Sequence, residues 1–243
     1  NTLVMREIFE FNPEIKSRFI PFVSVDPERK TRCQVKFLES LEKKYPIYGI
    51  KINPTTSQSK IICLLKQGNV FLRYARERNI PFLFHTSPVP EDYYSHVKDA
   101  FKVIEKNPDI RFGLAHAIVF HKGYLDFANS LPNVWVDTAA LKIQVDSFMA
   151  GKLFNLYEPI AADFSDHKKV MKQLMERYPD TMIWGSDSPA YSYICRRRQG
   201  KNIFRDFNYK GSYKDEKDAL DYLPAVLKKK ISNTNTLNWL FGA

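Results

Sequence analysis

Cysteine is scarce in this sequence, with three residues among 243. Cys33, Cys63 and Cys195 are odd in number and far apart, and no two of them have CxxC spacing. This pattern indicates neither a disulfide framework nor a cysteine-based zinc site. We therefore expect reduced thiols and a cytoplasmic protein.

Long apolar runs are also absent from the sequence. No stretch approaches the roughly 20 apolar residues that a membrane-spanning helix needs, and no signal-peptide pattern opens the chain. We expect a soluble protein that has no membrane partner. The chain begins with Asn1 rather than methionine, so a processed leader and an absent N-terminal segment both stay open.

Acidic residues are outnumbered by basic residues, which gives a formal net charge of +10. A basic surface can attract anionic ligands or nucleic acid, or it can simply be solvated. The basic residues are dispersed, apart from the runs at 196–198 and 228–230, and no zinc-finger spacing or RNA-binding sheet motif accompanies them. We predict that nucleic acid is not a partner.

Six short apolar runs alternate with helical stretches along the chain. Their spacing suits βαβ units, which need roughly 30 residues each, so the pattern predicts a parallel sheet in an α/β protein. With 44% hydrophobic content and no recognisable linker, residues 1–243 are predicted to form a single domain. The predicted strands cover residues 19–25, 48–52, 82–84, 111–115, 134–136 and 182–184.

Two of the intervening helices can be predicted with defined ends. Apolar residues at 97, 100, 101 and 104 share the helical period, and Asn107-Pro108 follows them. The same period recurs over residues 170–178, before Pro179. Proline is disfavoured inside a helix, and it disfavours helical geometry in the residue that precedes it. Each helix should therefore end just before the next strand.

Three groups that can bind a metal ion or carry a proton follow predicted strands directly: His85, His116 and Asp187. The C-terminal ends of parallel strands form the active site of an α/β barrel. Imidazole nitrogen and carboxylate oxygen are ligands of divalent metals such as zinc. Hydrogen-bonded structural roles for the same residues remain the alternative.

The longest predicted connection is a loop from Asp187 to about Tyr213. Loops of this length often form lids or binding loops. It contains Arg196, Arg197 and Arg198, and guanidinium groups form bidentate pairs with carboxylates. These arginines are candidate contacts for an anionic substrate, with a solvated basic loop as the alternative. Residues 141–164 are a second candidate for a cap over the site.

Several segments carry a resemblance to the amidohydrolase superfamily. More narrowly, they resemble its amidohydrolase-related branch of metal-dependent hydrolases, lactonases and non-oxidative decarboxylases. The resemblance spans almost the entire chain and implies a TIM-type (β/α)8 barrel. Its most specific element is GSDSP at 185–189. The segments are YGIKINP (48–54), IPFLFHT (80–86), LAH (114–116), VWVDT (134–138) and IWGSDSP (183–189).

The resemblance also implies roles for individual residues. His85 matches the family's histidine metal ligand after the fifth strand, and Asp187 matches the aspartate after the eighth, which binds metal and handles a proton. His116 matches a histidine that faces the reacting group. Lys51 lies on the matching fourth strand, where we read it as either a substrate contact or a structural ion-pair partner.

The sequence departs from the family pattern at its start. The family begins with a His-x-His pair at the end of its first strand, and none of the five histidines here forms such a pair. The strand predicted at 19–25 resembles the family's third, so we expect the first one or two βα units to be missing from these residues. Three explanations stay open: a further N-terminal portion, a fragment, or a degenerate barrel without metal.

From this resemblance we expect a metal-dependent hydrolase with a single Zn²⁺ or Mn²⁺ ion. Its substrate would be a small, anionic ester, lactone or amide. The first alternative is a metal-dependent non-oxidative decarboxylase of an aromatic carboxylic acid. The second is a metal-free, non-catalytic barrel that binds an anionic ligand or a partner. A homo-oligomer is compatible with each of these.

Overall fold

Six short strands form one sheet, in chain order. The computed structural model describes residues 1–242, apart from the side chains of Cys195 and of residues 197–200. Strand neighbours are parallel, as in the pairing of Ile50 with Phe82 and of Val136 with Met182. The strands are β1 (Phe22–Ser24), β2 (Gly49–Ile52), β3 (Phe82–Phe84), β4 (Phe112–Leu114), β5 (Val134–Asp137) and β6 (Met182–Ile183).

Helices alternate with these strands along the chain. Among residues 1–242, none combines the length and apolar composition that a bilayer span requires. The α-helices are α1 (Thr2–Arg6), α2 (Thr31–Glu42), α3 (Pro54–Ser57), α4 (Asn69–Arg78), α5 (Val97–Glu105), α6 (Lys122–Ser130), α7 (Leu141–Ala150), α8 (His167–Arg177), α9 (Tyr213–Asp221), α10 (Ala225–Lys229) and α11 (Asn235–Phe241). Shorter 3-10 or π turns cover Glu7–Phe11, Pro13–Arg18, Ile61–Leu65, His116–Phe120, Leu153–Asn155 and Lys230–Thr234.

The predicted alternation of strands and helices is confirmed. Each of the six strands lies within its predicted range or extends one residue beyond it. Helix α5 ends at Glu105 and α8 ends at Arg177, each shortly before a proline. The stop follows from the missing N–H of proline and from the geometry that proline imposes on its predecessor.

The chain divides into two compact units. The N-terminal unit contains residues 1–113 together with the chain end from Asn238, and the C-terminal unit contains Leu114–Leu237. The single domain predicted from composition stays a prediction.

Three phenylalanines form a buried cluster in the N-terminal unit. Phe82, Phe84 and Phe112 are 0% exposed. Their ring centroids lie 5.4 to 5.7 Å apart, which is the range of favourable aromatic pairs. Since Phe84 immediately precedes His85, this cluster supports the end of strand β3.

Two histidines begin helices by capping them. The Nδ1 atom of His96 accepts a hydrogen bond from the backbone N–H of Lys98, at 3.2 Å, at the start of α5. The Nδ1 atom of His121 accepts one from the N–H of Tyr124, at 3.3 Å, at the start of α6. A helix start leaves N–H groups without intrahelical acceptors, and these imidazoles supply an acceptor. The geometry requires Nδ1 to be unprotonated in both residues.

The connection that follows β6 contains a hairpin, so its prediction as a loop is wrong. Strands β7 (Ser192–Gly200) and β8 (Ile203–Lys210) pair antiparallel, with Tyr193 opposite Tyr209. Tyr209 is buried with Ala140 and Ile143, whereas most of β8 is exposed. Because solvent reaches both faces of much of β8, that strand lacks the apolar run by which the sheet strands could be predicted.

Candidate active site

Lys51 and His85 lie at adjacent strand ends in the N-terminal unit. Strands β2 and β3 pair side by side, with Lys51 opposite Leu83. The N–H of His85 donates to the carbonyl of Ile52 at 3.0 Å, so His85 is held directly beyond the end of β3. Both Lys51 and His85 are half-buried. His85 therefore lies at its predicted place after a strand end, and Lys51 lies within β2, the strand to which it was assigned.

His116 is the buried histidine of the C-terminal unit, with 6% of its surface exposed. Its Nδ1 atom lies 3.0 Å from the carbonyl oxygen of Ala139. A carbonyl oxygen can only accept, so Nδ1 carries the proton and donates it. In the neutral ring the lone pair is then on Nε2. A histidine oriented in this way can accept a proton or bind a metal through Nε2, and it donates there only when protonated.

Asp137, at the end of β5, holds the backbone around His116. Its Oδ1 atom accepts the N–H of His116 at 2.8 Å and the N–H of Ala139 at 3.0 Å. The residue is buried. It therefore joins the end of β5 to the turn that begins at His116. The sequence offered one signal for this role, an aspartate that directly ends an apolar strand.

The turn over His116–Phe120 has an unusual backbone. All five residues have positive φ, from 44° to 67°, and none of them is glycine. Left-handed geometry is costly for residues with a Cβ atom, above all for β-branched Ile118 and Val119. Such strain persists only where the surroundings over-determine it, and here all five residues are buried.

Asp187 lies in a turn that contacts the same segment as His116. Asp187 is exposed and has a φ of 58°, which aspartate tolerates better than most residues. Just before it, the N–H of Gly185 donates to the Thr138 hydroxyl at 3.3 Å. A Cβ atom on Gly185 would lie 3.3 Å from the Cβ of Ala139, so glycine permits this close approach. Ala139 thus contacts the His116 ring, and Thr138 and Ala139 both contact Gly185 in the turn that carries Asp187.

Glu216 is a fully buried carboxylate near this turn, and no local sequence pattern indicated its role. Its Oε2 and Oε1 atoms accept the N–H groups of Leu141 and Lys142, at 3.0 and 3.1 Å, at the start of α7. Burial raises the pKa of Glu216 to about 7, although the two N–H groups act in the opposite direction. The negative charges of Asp215 and Asp187 raise this pKa further. A carboxyl group with such a pKa changes charge near neutral pH.

Replacing Glu216 with glutamine is expected to remove a pH dependence of stability. The folded pKa of about 7 lies above the ordinary value of 4.5. The contribution of Glu216 is therefore fully present below pH 4.5 and is lost as the pH rises through 7. At 1.36 kcal/mol for each pKa unit, the loss is about 3 kcal/mol. The measurement is the free energy of unfolding in urea from pH 4.5 to pH 8, for both proteins.

The difference between the native protein and Glu216→Gln reports on Glu216 together with its coupling to Asp215 and Asp187, because titrating groups that do not interact with Glu216 affect both proteins equally. Glu105→Gln is the matched control, since Glu105 is an exposed glutamate on α5. Its pH profile should follow that of the native protein. Identical pH profiles for Glu216→Gln and the native protein would contradict a raised pKa at Glu216.

Tyr191 presents a buried hydroxyl four residues after Asp187. Its Oη atom has no hydrogen-bond partner among the described residues. An unpaired buried hydroxyl is costly, which makes it a candidate contact for a substrate or a water molecule. The sequence signal was weak, because Tyr191 is one of several aromatic residues in the connection after β6.

The arginines predicted to contact substrate lie on the hairpin. Arg196 is 68% exposed and forms a bidentate ion pair with Asp206, with N–O distances of 2.7 and 2.9 Å. The side chains of Arg197 and Arg198 lie outside the described residues. Helix α7, in the second predicted cap, packs on the hairpin through Ile143 and Tyr209. Substrate contact by the hairpin stays a prediction.

The metal site expected from His85 and Asp187 can be tested against the side chains present. In the part of the chain that the structure describes, no group of three or more histidine, cysteine, aspartate or glutamate side chains is arranged to hold a metal ion. Zinc sites in proteins use at least three protein ligands. The described side chains therefore do not complete a metal site by themselves, and the assignment of His85 and Asp187 as ligands stays a prediction.

Comparison with known structures identifies the fold. A TIM-barrel protein from Bordetella bronchiseptica matches with a TM-score of 0.62 and 14% identity, over 98% of this chain and 71% of that one. A dihydroorotase from Campylobacter jejuni matches with a TM-score of 0.53 and 18% identity, over 96% and 70%. A structure from Acinetobacter baumannii, titled probable 2-pyrone-4,6-dicarboxylic acid hydrolase, matches with a TM-score of 0.54 and 16% identity, over 100% and 79%. The fold is an α/β fold of the TIM-barrel type.

Sequence comparison identifies the family. No curated protein matches the chain. The model of the amidohydrolase family, however, matches residues 10–239, which is nearly the whole chain. The chain therefore belongs to the amidohydrolase family.

Proposed function

We propose that this protein is a metal-dependent hydrolase that cleaves an ester, lactone or amide bond of a small anionic substrate. The observation that carries the proposal is the family match over residues 10–239. The contacts of Ala139 with the His116 ring and of Thr138 with Gly185 support it, because they position two candidate proton-handling residues, His116 and Asp187, after strand ends.

In this proposal, Asp187 accepts the proton of the attacking water. Its exposed carboxylate at the end of β6 is accessible to a substrate and to water. His116 stabilises the negative charge that develops on the substrate oxygen. Because Nδ1–H is directed to Ala139, only the protonated ring can donate a hydrogen bond through Nε2. Asp137 keeps the His116 backbone in place.

A bound divalent ion, Zn²⁺ or Mn²⁺, would lower the pKa of a water molecule and polarise a carbonyl group. His85 and Asp187 are our candidate ligands, and such a site needs at least one further ligand beyond the described groups. Metal analysis therefore bears on the proposal more directly than any other measurement.

Three features support an anionic substrate. Lys51 lies at a strand end, and Arg196, Arg197 and Arg198 lie on the hairpin that follows Asp187. The unpaired Tyr191 hydroxyl could hydrogen-bond a substrate oxygen. In addition, two of the similar structures are titled as hydrolases of 2-pyrone-4,6-dicarboxylic acid, which recommends dicarboxylate lactones for a first panel.

A metal-free barrel that binds an anionic ligand is the second candidate. The observation that favours it is the lack of a three-ligand group among the described side chains. The free thiols of Cys33 and Cys63 support a reducing, cytoplasmic location for either candidate.

The test combines elemental analysis with an activity panel. We expect about one Zn or Mn per chain, lost in His85→Ala, together with hydrolysis of at least one carboxylate-bearing ester, lactone or amide. His96→Asn is the matched control, because asparagine removes an imidazole but retains the helix cap. CO₂ release from aromatic carboxylic acids without hydrolysis would instead identify a decarboxylase. A folded, metal-free protein without either activity would support the binding role and overturn the proposal.

A further inference from the structure

A cavity of about 530 Å³ lies in the N-terminal unit, beside the starts of helices α2 and α4. Its lining contains none of the residues of the candidate active site. Its lining residues are Glu28, Lys30, Thr31, Arg32, Cys33, Lys66, Gln67, Asn69, Val70 and Arg73.

The lining of this cavity is strongly basic. Lys30, Arg32, Lys66 and Arg73 contribute four positive charges, and Glu28 contributes one negative charge. None of the four basic side chains forms an ion pair with an acidic group among the described residues. Glu28 therefore offsets only part of the positive charge of the cavity, which keeps an excess of three positive charges.

The backbone around the cavity adds to this potential. The first turn of α2 and the first turn of α4 both line the cavity, and neither contains an acidic residue or a side-chain cap. The Thr31 hydroxyl donates to the carbonyl of Gln67 at 2.8 Å and so joins the two helix starts. Helix N-termini carry partial positive charge, which reinforces the four cations.

We propose that this cavity binds a phosphorylated small molecule with two or three negative charges. Two arginines and two lysines can pair with several phosphate oxygens, and arginine does so bidentately. The volume lies within the range of about 300–1,000 Å³ that is usual for small-molecule sites. A concave site of this size suits a discrete ligand better than an extended nucleic-acid backbone. The inference does not depend on the proposed hydrolase function.

Pyrophosphate serves as the probe, and Cys33 serves as the reporter. Cys33 is exposed and lines the cavity, whereas Cys63 is buried and lies outside it. Alkylation of each cysteine by iodoacetamide is followed by peptide mass spectrometry at constant ionic strength, with the full chain. We expect saturating pyrophosphate to slow alkylation of Cys33 at least about fivefold and to leave the Cys63 rate unchanged.

Substitutions test whether the protection of Cys33 depends on the basic residues of the lining. The double variant Arg32→Gln/Arg73→Gln should weaken pyrophosphate binding, measured by calorimetry, at least about tenfold. Lys36 is an exposed residue of helix α2, as is Arg32, but it lies outside the cavity lining. Lys36→Gln should therefore change the affinity for pyrophosphate less than about twofold. Glu28→Gln removes the one acidic group of the lining, so it should tighten binding about threefold.

Several outcomes would overturn this proposal. One is an absence of protection at Cys33, and another is equal slowing at Cys33 and Cys63, which would indicate a global effect. Equal loss of affinity in Lys36→Gln and in the double variant would indicate non-specific attraction to a basic surface. Binding to phosphatidic acid vesicles without protection by pyrophosphate would indicate a lipid surface as the partner instead.

Discussion

Replacing Asp187 with asparagine is expected to lower kcat by about 10²–10⁴-fold, the usual contribution of a positioned general acid or base. In the proposed mechanism this carboxylate accepts the proton of the attacking water. Asparagine has nearly the same size and also tolerates left-handed geometry, here a φ of 58°. The substitution therefore removes the proton acceptor with little change in the turn. Steady-state kinetics on a substrate found in the hydrolysis panel measures the effect.

Asp180→Asn is the matched control for this substitution. Asp180 precedes strand β6 and Asp187 follows it, so the two carboxylates flank opposite ends of one strand. Asp180 is 77% exposed and pairs with Lys230 at 2.5 Å, and such surface pairs contribute about 0–1 kcal/mol. Its loss should leave kcat within about twofold. Retention of more than about a tenth of kcat in Asp187→Asn would refute the proposed proton transfer, since general-base effects exceed that size.

Replacing Phe112 with alanine is expected to lower the free energy of unfolding by about 3–5 kcal/mol, as for other buried phenylalanines. The ring is 0% exposed and contacts both Phe82 and Phe84, with centroids 5.7 and 5.4 Å away. Alanine would leave a cavity between these two rings, in addition to the lost burial of the side chain. Urea unfolding, monitored by circular dichroism, measures the change.

Phe37→Ala provides the control for this core substitution. Phe37 lies on helix α2 in the same unit and is 43% exposed, so its truncation leaves no enclosed cavity. We expect a loss below about 1 kcal/mol there, because surface substitutions have small effects. A comparable loss in both variants would contradict the assignment of the three phenylalanines as a tightly packed buried cluster.

Much of the sheet could be predicted because its strands are buried. A strand such as Phe82–Phe84 must be apolar when its surroundings exclude water. A proline after a helical pattern marks the end of that helix and so indicates where the next strand begins. The positions of His85, His116 and Asp187 followed from the strand ends alone. These features depend on local sequence, so they can be predicted from a single sequence.

The hairpin could not be predicted in the same way. Strands β7 and β8 are stabilised by pairing with each other and by the contact of Tyr209 with Ala140 and Ile143. That contact joins segments far apart in sequence. The alternating aromatic residues of the hairpin were visible, but the charges among them suggested a solvated loop.

Glu216 and the basic cavity show the same limit. Glu216 lies in the polar stretch YKDEKD, which is typical of an exposed helix face, yet its partners Leu141 and Lys142 lie more than 70 residues earlier. The cations of the cavity lie at positions 30, 32, 66 and 73, apart from the basic runs of the sequence. Only the fold brings these residues together, so neither the buried Glu216 nor the basic cavity has a local sequence signature.

The histidine caps make the starts of two helices sensitive to acid. A protonated Nδ1 is a donor and could no longer accept the backbone N–H of Lys98 or of Tyr124. The first turns of α5 and α6 would then fray. Burial lowers the pKa of His96, which delays this loss to a more acidic pH than for a free imidazole. Acidification should therefore loosen these helix starts before the buried sheet melts, and hydrogen exchange would detect this order of events.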